Sequence, residues 1–113
     1  MKPLAVILVH GFNVWDGGAG SVGKLKPYFE ELGANTTMFK YGFVGLLLTR
    51  FFNEEIAEKL AVLINIKART YKKVIVLGHS NGCAIAHLAS YMCEGKVAKY
   101  VYINPALKKE LVP

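Results

Sequence analysis

The sequence predicts an α/β protein: a three-layer sandwich around a short parallel sheet with strand order 2-1-3-4. Three observations point there. Leu4 to Val9 is a continuous apolar run rich in β-branched residues, as expected of a strand buried on both faces, and Val74 to Leu77 and Val97 to Ile103 read as further strands. Helical patterns separate these runs, and such alternation makes a parallel sheet with right-handed crossovers. Two of the runs end in short glycine-containing loops, His10-Gly11-Phe12 and Gly78-His79-Ser80. In the order 2-1-3-4 these loops meet at the switch between the first and third strands, where open parallel sheets bind ligands.

The first strand, Leu4 to Val9, is stopped by His10-Gly11. A loop rich in glycine (Gly11, Gly17, Gly18, Gly20) leads to a helix with Pro27 in its first turn, Tyr28, Phe29 and Leu32 as its apolar side and Gly33 as its stop. Thr36 to Tyr41 is a second, less apolar strand suited to a sheet edge. Phe43 to Phe52 is almost wholly apolar but shorter than the roughly 20 residues that cross a bilayer. It is either additional core, or a lid or acyl-binding wall over a pocket. Asn53 is the expected N-cap of the next helix, with Glu54 and Glu55 favoured by the dipole of the first turn. Ile56, Ala57, Leu60, Leu63 and Ile64 supply its apolar face, to about residue 70. After the third strand, Val74 to Leu77, the residues Ile85, Leu88, Ala89 and Met92 fall at helical spacing. Asn104-Pro105 closes the fourth strand.

A chain of 113 residues with 53% hydrophobic and 19% charged residues is neither disordered nor membrane-spanning, and one soluble domain over 1–113 is expected. The net charge of +6 invites a nucleic-acid partner, but the lysines are scattered in pairs such as Lys72-Lys73 and Lys108-Lys109, without interleaved aromatics. No nucleic acid is therefore expected. Cys83 and Cys93 sit far apart along one predicted helix, so a disulfide between them is not expected. Two cysteines without a CxxC pattern suggest reduced thiols, a cytoplasmic location and no metal. The opening Met1-Lys2-Pro3 and its short apolar run resemble a signal peptide but lack a small-x-small cleavage site, and they read better as a strand.

The chemistry lies in Gly78-His79-Ser80-Asn81-Gly82. A serine hydroxyl is a poor nucleophile and has to be held clear of its own backbone, within reach of both a base and a carbonyl. A sharp turn from strand to helix does this. Such a turn strains the serine backbone and leaves no room for side chains two positions to either side, which calls for Gly78 and Gly82. The helix that follows offers the Asn81 backbone N–H and its dipole to an oxyanion. GxSxG arises by chance in roughly 4% of chains of this length. Its place between an apolar strand and a helix, beside the His-Gly-Phe loop, is what gives it weight.

Val-Ile-Leu-Val-His-Gly-Phe (6 to 12) and Val-Ile-Val-Leu-Gly-His-Ser-Asn-Gly (74 to 82) together resemble the α/β-hydrolase fold, in its lipase, esterase and serine-peptidase branch. The resemblance covers essentially the whole chain and implies a partial α/β-hydrolase fold. It implies that Ser80 is the nucleophile and that the backbone N–H groups of Phe12 and Asn81 form the oxyanion hole. By the same resemblance His10, Gly11, Gly78, His79 and Gly82 shape the turn and its surroundings. The substrate would be a small ester or lipid-like molecule, split without a cofactor. Many members carry a second glycine where this chain has Cys83, which is still small. The larger departure is that no aspartate follows Ser80 and His87 is the only later histidine. His87 lies about 10 Å further along the helix axis and faces away from the turn, so it reads as a partly buried structural histidine. Asp16 precedes the serine and suits a loop or capping role.

Two other readings compete with this one. Gly18-Ala19-Gly20-Ser21-Val22-Gly23 matches GxGxxG, and Lys24 nearly completes a P-loop. Leu25 stands where a magnesium-binding Ser or Thr belongs, and Gly18 is too far past the strand for a dinucleotide site. The second rival is a degenerate or non-catalytic hydrolase-like protein, which would account for the missing acid and base. Finally, the fourth strand would be an exposed edge, so a homo-oligomer is expected.

Overall fold

Residues Ala5 to Val9 are all completely inaccessible to solvent. This is the burial predicted for a central strand covered on both faces. The computed structural model describes residues 2–10, 22–39 and 46–103. They form four strands, β1 (Lys2–Val9), β2 (Asn35–Phe39), β3 (Tyr71–His79) and β4 (Lys99–Ile103), and three helices, α1 (Lys26–Glu31), α2 (Leu46–Thr70) and α3 (Asn81–Met92). The sheet is wholly parallel with order β2-β1-β3-β4.

Alternation along each strand sorts the core into two layers. Ala5, Ile7, Val9, Val74 and Val76 face α2 and α3, where they meet Ile56, Leu60, Ile64, Ile85 and Ala89. Val6, Leu8 and Leu77 face the other way, onto Ala34, with Leu25 and Phe29 packed around them. Helices thus cover both faces, and the three-layer sandwich is present.

Several expected boundaries shift. β3 starts at Tyr71, three residues before Val74, because its pairing with β1 runs back to Lys2 opposite Tyr71. β4 starts at Lys99, two residues later than expected. The largest correction concerns Asn53, expected as an N-cap but lying inside α2, which begins at Leu46. Nothing in 46–52 breaks a helix, so good helix formers such as Leu46, Leu47 and Leu48 carry the helix back through Asn53, and Glu54 and Glu55 are not in its first turn. α1 also differs: Phe29 packs on the sheet, whereas Tyr28 and Leu32 point to solvent. A helix of six residues presents too narrow a face to bury all three. Gly33 ends it with φ +85°, a left-handed conformation natural to glycine. Among the described residues no helix is long and apolar enough to cross a membrane.

Candidate functional site

The switch in strand order falls between β1 and β3, whose carboxyl ends lie side by side with Val9 opposite Gly78. β3 runs straight into α3 with a single residue between them, Ser80. That residue has φ 55° and ψ −124°, the only positive φ of a non-glycine residue among those described. The conformation costs on the order of 1–3 kcal/mol, and it persists only where its surroundings enforce it.

The enforcement can be traced. The Ser80 backbone N–H donates to the Ile103 carbonyl at 3.0 Å, and the Ser80 carbonyl accepts from the Cys83 N–H at 3.0 Å. Gly82 lies in the first turn of α3 against the end of β1, where an added Cβ would strike the Val9 carbonyl oxygen and come within 2.7 Å of the His10 carbonyl oxygen. Gly78 faces the same turn from below, and a Cβ there would lie 2.8 Å from the Gly82 oxygen and 2.9 Å from the Cys83 nitrogen. The two glycines therefore interlock β1, β3 and α3, and the strained serine is the remaining degree of freedom.

A serine at a helix N-cap ordinarily spends its hydroxyl on the backbone of the first turn. The Ser80 side chain makes no such bond, so its hydroxyl is not committed to capping α3. Ser80 is half-buried. Asn81, buried at 5% exposure, is the first residue of α3, and its N–H lies at the positive end of the helix dipole.

The neighbouring side chains sort by burial. His10 is fully buried at the end of β1. His79 is half-buried, with Nδ1 enclosed and lacking a hydrogen-bond partner among the described residues. Cys83 is fully buried, and its thiol donates to the Gly78 carbonyl at 3.2 Å. Burial pushes that thiol above its ordinary pKa, so it stays protonated and does not compete as a nucleophile. Both cysteines are free thiols. His87 lies on α3 with its ring edge-on to Tyr91 at 5.2 Å.

The structure thus brings together Ser80, Asn81, Gly78, His79, Gly82 and His10. Gly11, Phe12, Asp16, the GxGxxG segment up to Ser21 and the stretch from Phe43 to Gly45 lie outside the described residues, as does everything after Ile103. Sequence reasoning missed the part played by Ile103, because a main-chain carbonyl leaves no trace in residue type. Among the described residues no three His, Cys, Asp or Glu side chains converge in a metal-binding group.

Neither a known protein family nor a curated protein matches this sequence. Among solved structures, an extracellular α/β-hydrolase from a Paenibacillus species is similar, with 23% identity and a TM-score of 0.62 over 91% of this chain. That hydrolase is itself said to share structural and functional homology with tobacco salicylic acid binding protein 2. This chain spans 41% of its length. Sheet order, layering and this likeness together give the chain the fold of an α/β-hydrolase over the strands described.

Proposed function

We propose that this chain carries the nucleophile of a serine hydrolase acting on carboxylic esters, with Ser80 as that nucleophile. The observation that supports it most is the strained Ser80 backbone between β3 and α3, held by Gly78 and Gly82 with its hydroxyl not spent on the helix cap. The Ser80 oxygen attacks the ester carbonyl while a base takes its proton, and a tetrahedral oxyanion forms. The Asn81 N–H and the α3 dipole favour that oxyanion, with the Phe12 N–H as second donor. Collapse expels the alcohol, which takes up the proton, and water then releases the acid from the acyl-serine.

His87 is not the base. Seven residues along α3, it lies about 10 Å down the axis, and its ring packs on Tyr91. By the resemblance, base and acid come from segments beyond β4, or from another chain. Removing a triad member costs on the order of 10⁴ to 10⁶ in rate, the remainder coming from the oxyanion donors and binding. The 113 residues alone are therefore expected to hydrolyse p-nitrophenyl acetate very slowly, with all of it lost in Ser80→Ala and little changed in His87→Ala. Rapid turnover that vanishes in His87→Ala would overturn this assignment, and no Ser80-dependent turnover at all would favour a degenerate, non-catalytic protein.

Association belongs to the same proposal. β4 pairs with β3 on one side only among the described residues, and an open edge of this kind recruits another strand. Light scattering over a concentration series is expected to show dimers or larger species. A monomer throughout would count against it.

A further inference from the structure

β4 carries apolar side chains on both of its faces. Tyr100 and Tyr102 pack on the side of α2 and α3, Val101 and Ile103 on the side of α1, and all four are only half-buried. Apolar residues on both faces mark a strand suited to the interior of a sheet. The outer edge of β4 also lacks what keeps exposed edges apart. No proline interrupts Lys99–Ile103, and its one charge, Lys99, stands at the start.

The backbone groups left at that edge follow from the site itself. The Ser80 N–H donates to the Ile103 carbonyl at 3.0 Å, so the peptide groups of Ile103 turn inward to β3. Successive residues of a strand alternate in this respect, so those of Val101 turn inward as well, and those of Tyr100 and Tyr102 turn outward. Two N–H donors and two carbonyl acceptors therefore stand at the edge with no described strand beside them. This set is its own complement. Under a twofold axis through Val101, perpendicular to the sheet, Tyr100 meets the partner's Tyr102, and each copy's two donors reach the other's two acceptors. Val101 then meets the partner's Val101 in the close pair that carries no hydrogen bonds. Lys99 falls opposite the partner's Ile103, which keeps the two Lys99 residues about 14 Å apart along the strands. A parallel pairing in register would set those charges side by side.

We propose that β4 pairs antiparallel with β4 of a second copy of this chain, about a twofold axis at Val101, to give one continuous eight-stranded sheet. This rests on the open edge described above and not on Ser80 as a nucleophile. Its effect reaches the site, because the strand whose Ile103 carbonyl holds the Ser80 N–H is then paired on both sides.

The test is amide hydrogen exchange of the ¹⁵N-labelled chain over a concentration series, with the mass followed by light scattering. The Val101 and Ile103 amides are expected to be protected throughout. Those of Tyr100 and Tyr102 should exchange freely in the monomer and become protected as the dimer forms, with exchange at Ser80 slowing in step. In a Cys93→Ser background, mild oxidation is expected to cross-link Val101→Cys, whose Cα atoms would lie about 4.5 Å apart, within disulfide reach. Lys99→Cys should stay uncross-linked. Val101→Lys sets two charges against each other at the axis and is expected to weaken the dimer about tenfold or more, whereas Val101→Thr should stay within about threefold. Circular dichroism checks that both variants fold. Dimers in which Tyr100 and Tyr102 still exchange freely would overturn this interface while leaving association standing. Protection of both amides in a monomer would overturn it in favour of residues 104–113 of the same chain covering the edge. Cross-linking of Lys99→Cys in preference to Val101→Cys would overturn the pairing, and a monomer throughout would remove both this proposal and the association it rests on.

Discussion

The backbone N–H of Ser80 donates to the carbonyl of Ile103 at 3.0 Å, joining the turn after β3 to the last described residue of β4. The serine is thereby held by a neighbouring strand as well as by its own glycines. Because Gly82 presses on the Val9 and His10 carbonyls from the other side, the turn is fixed on both flanks.

Glycine substitutions should separate two kinds of requirement. At Gly82 an added methyl meets backbone oxygen, which can yield only by moving β1 or α3, and overpacking of this kind costs about 1–3 kcal/mol or more. At Gly33 no atom lies within 4 Å of an added Cβ, and only the positive φ penalises it, by about 1 kcal/mol. Urea unfolding is expected to rank Gly82→Ala well below Gly33→Ala in stability. The reverse order would mean that α3 does not press on β1 as described.

The serine conformation has its own test. Ser80→Gly relaxes a positive φ that Ser80→Ala retains, so the glycine variant should be the more stable of the two by about 1 kcal/mol. Both lose the hydroxyl. Equal midpoints would show that the turn carries no strain.

Two half-buried tyrosines on β4 give a pH dependence. Burial is the largest cause that raises Tyr102 above the ordinary value of 10, with the neighbouring Cys83 and Tyr91 adding to it. Tyr100 rises further, through burial first and then its contact with the Cys93 thiol at 3.7 Å. Both remain neutral in the folded chain at a pH where the unfolded chain has begun to ionise. Their contribution is therefore complete below pH 10 and is lost as pH rises above it. Phenolate absorbance should show two tyrosines titrating late and returning to normal in denaturant, with unfolding midpoints falling above pH 10. A flat midpoint from pH 9 to 12 would contradict this.

Much of the architecture was legible because burial on both faces writes itself into composition: Leu4 to Val9 could scarcely be anything but a central strand. The turn was legible for a related reason, since Gly78 and Gly82 are fixed by sterics. What could not be read was set by tertiary context. Asn53 has the chemistry of a cap, yet helix propensity on both sides absorbs it. Tyr28 and Leu32 follow a helical period, but α1 is too short to bury them. Ile103 acts through its main chain, and that relationship has no pattern in the sequence.

The central claim is that Ser80 is a nucleophile, and covalent labelling tests it most directly. A fluorophosphonate carries a leaving group that needs little assistance, so it can report on the serine even where the base is missing. Incubation of the chain with such a probe, followed by peptide mass analysis, is expected to give slow formation of one adduct on the peptide containing Ser80. No adduct is expected in Ser80→Ala, and an undiminished rate in His87→Ala. Labelling that persists in Ser80→Ala, or a folded chain that stays unlabelled, would contradict the assignment.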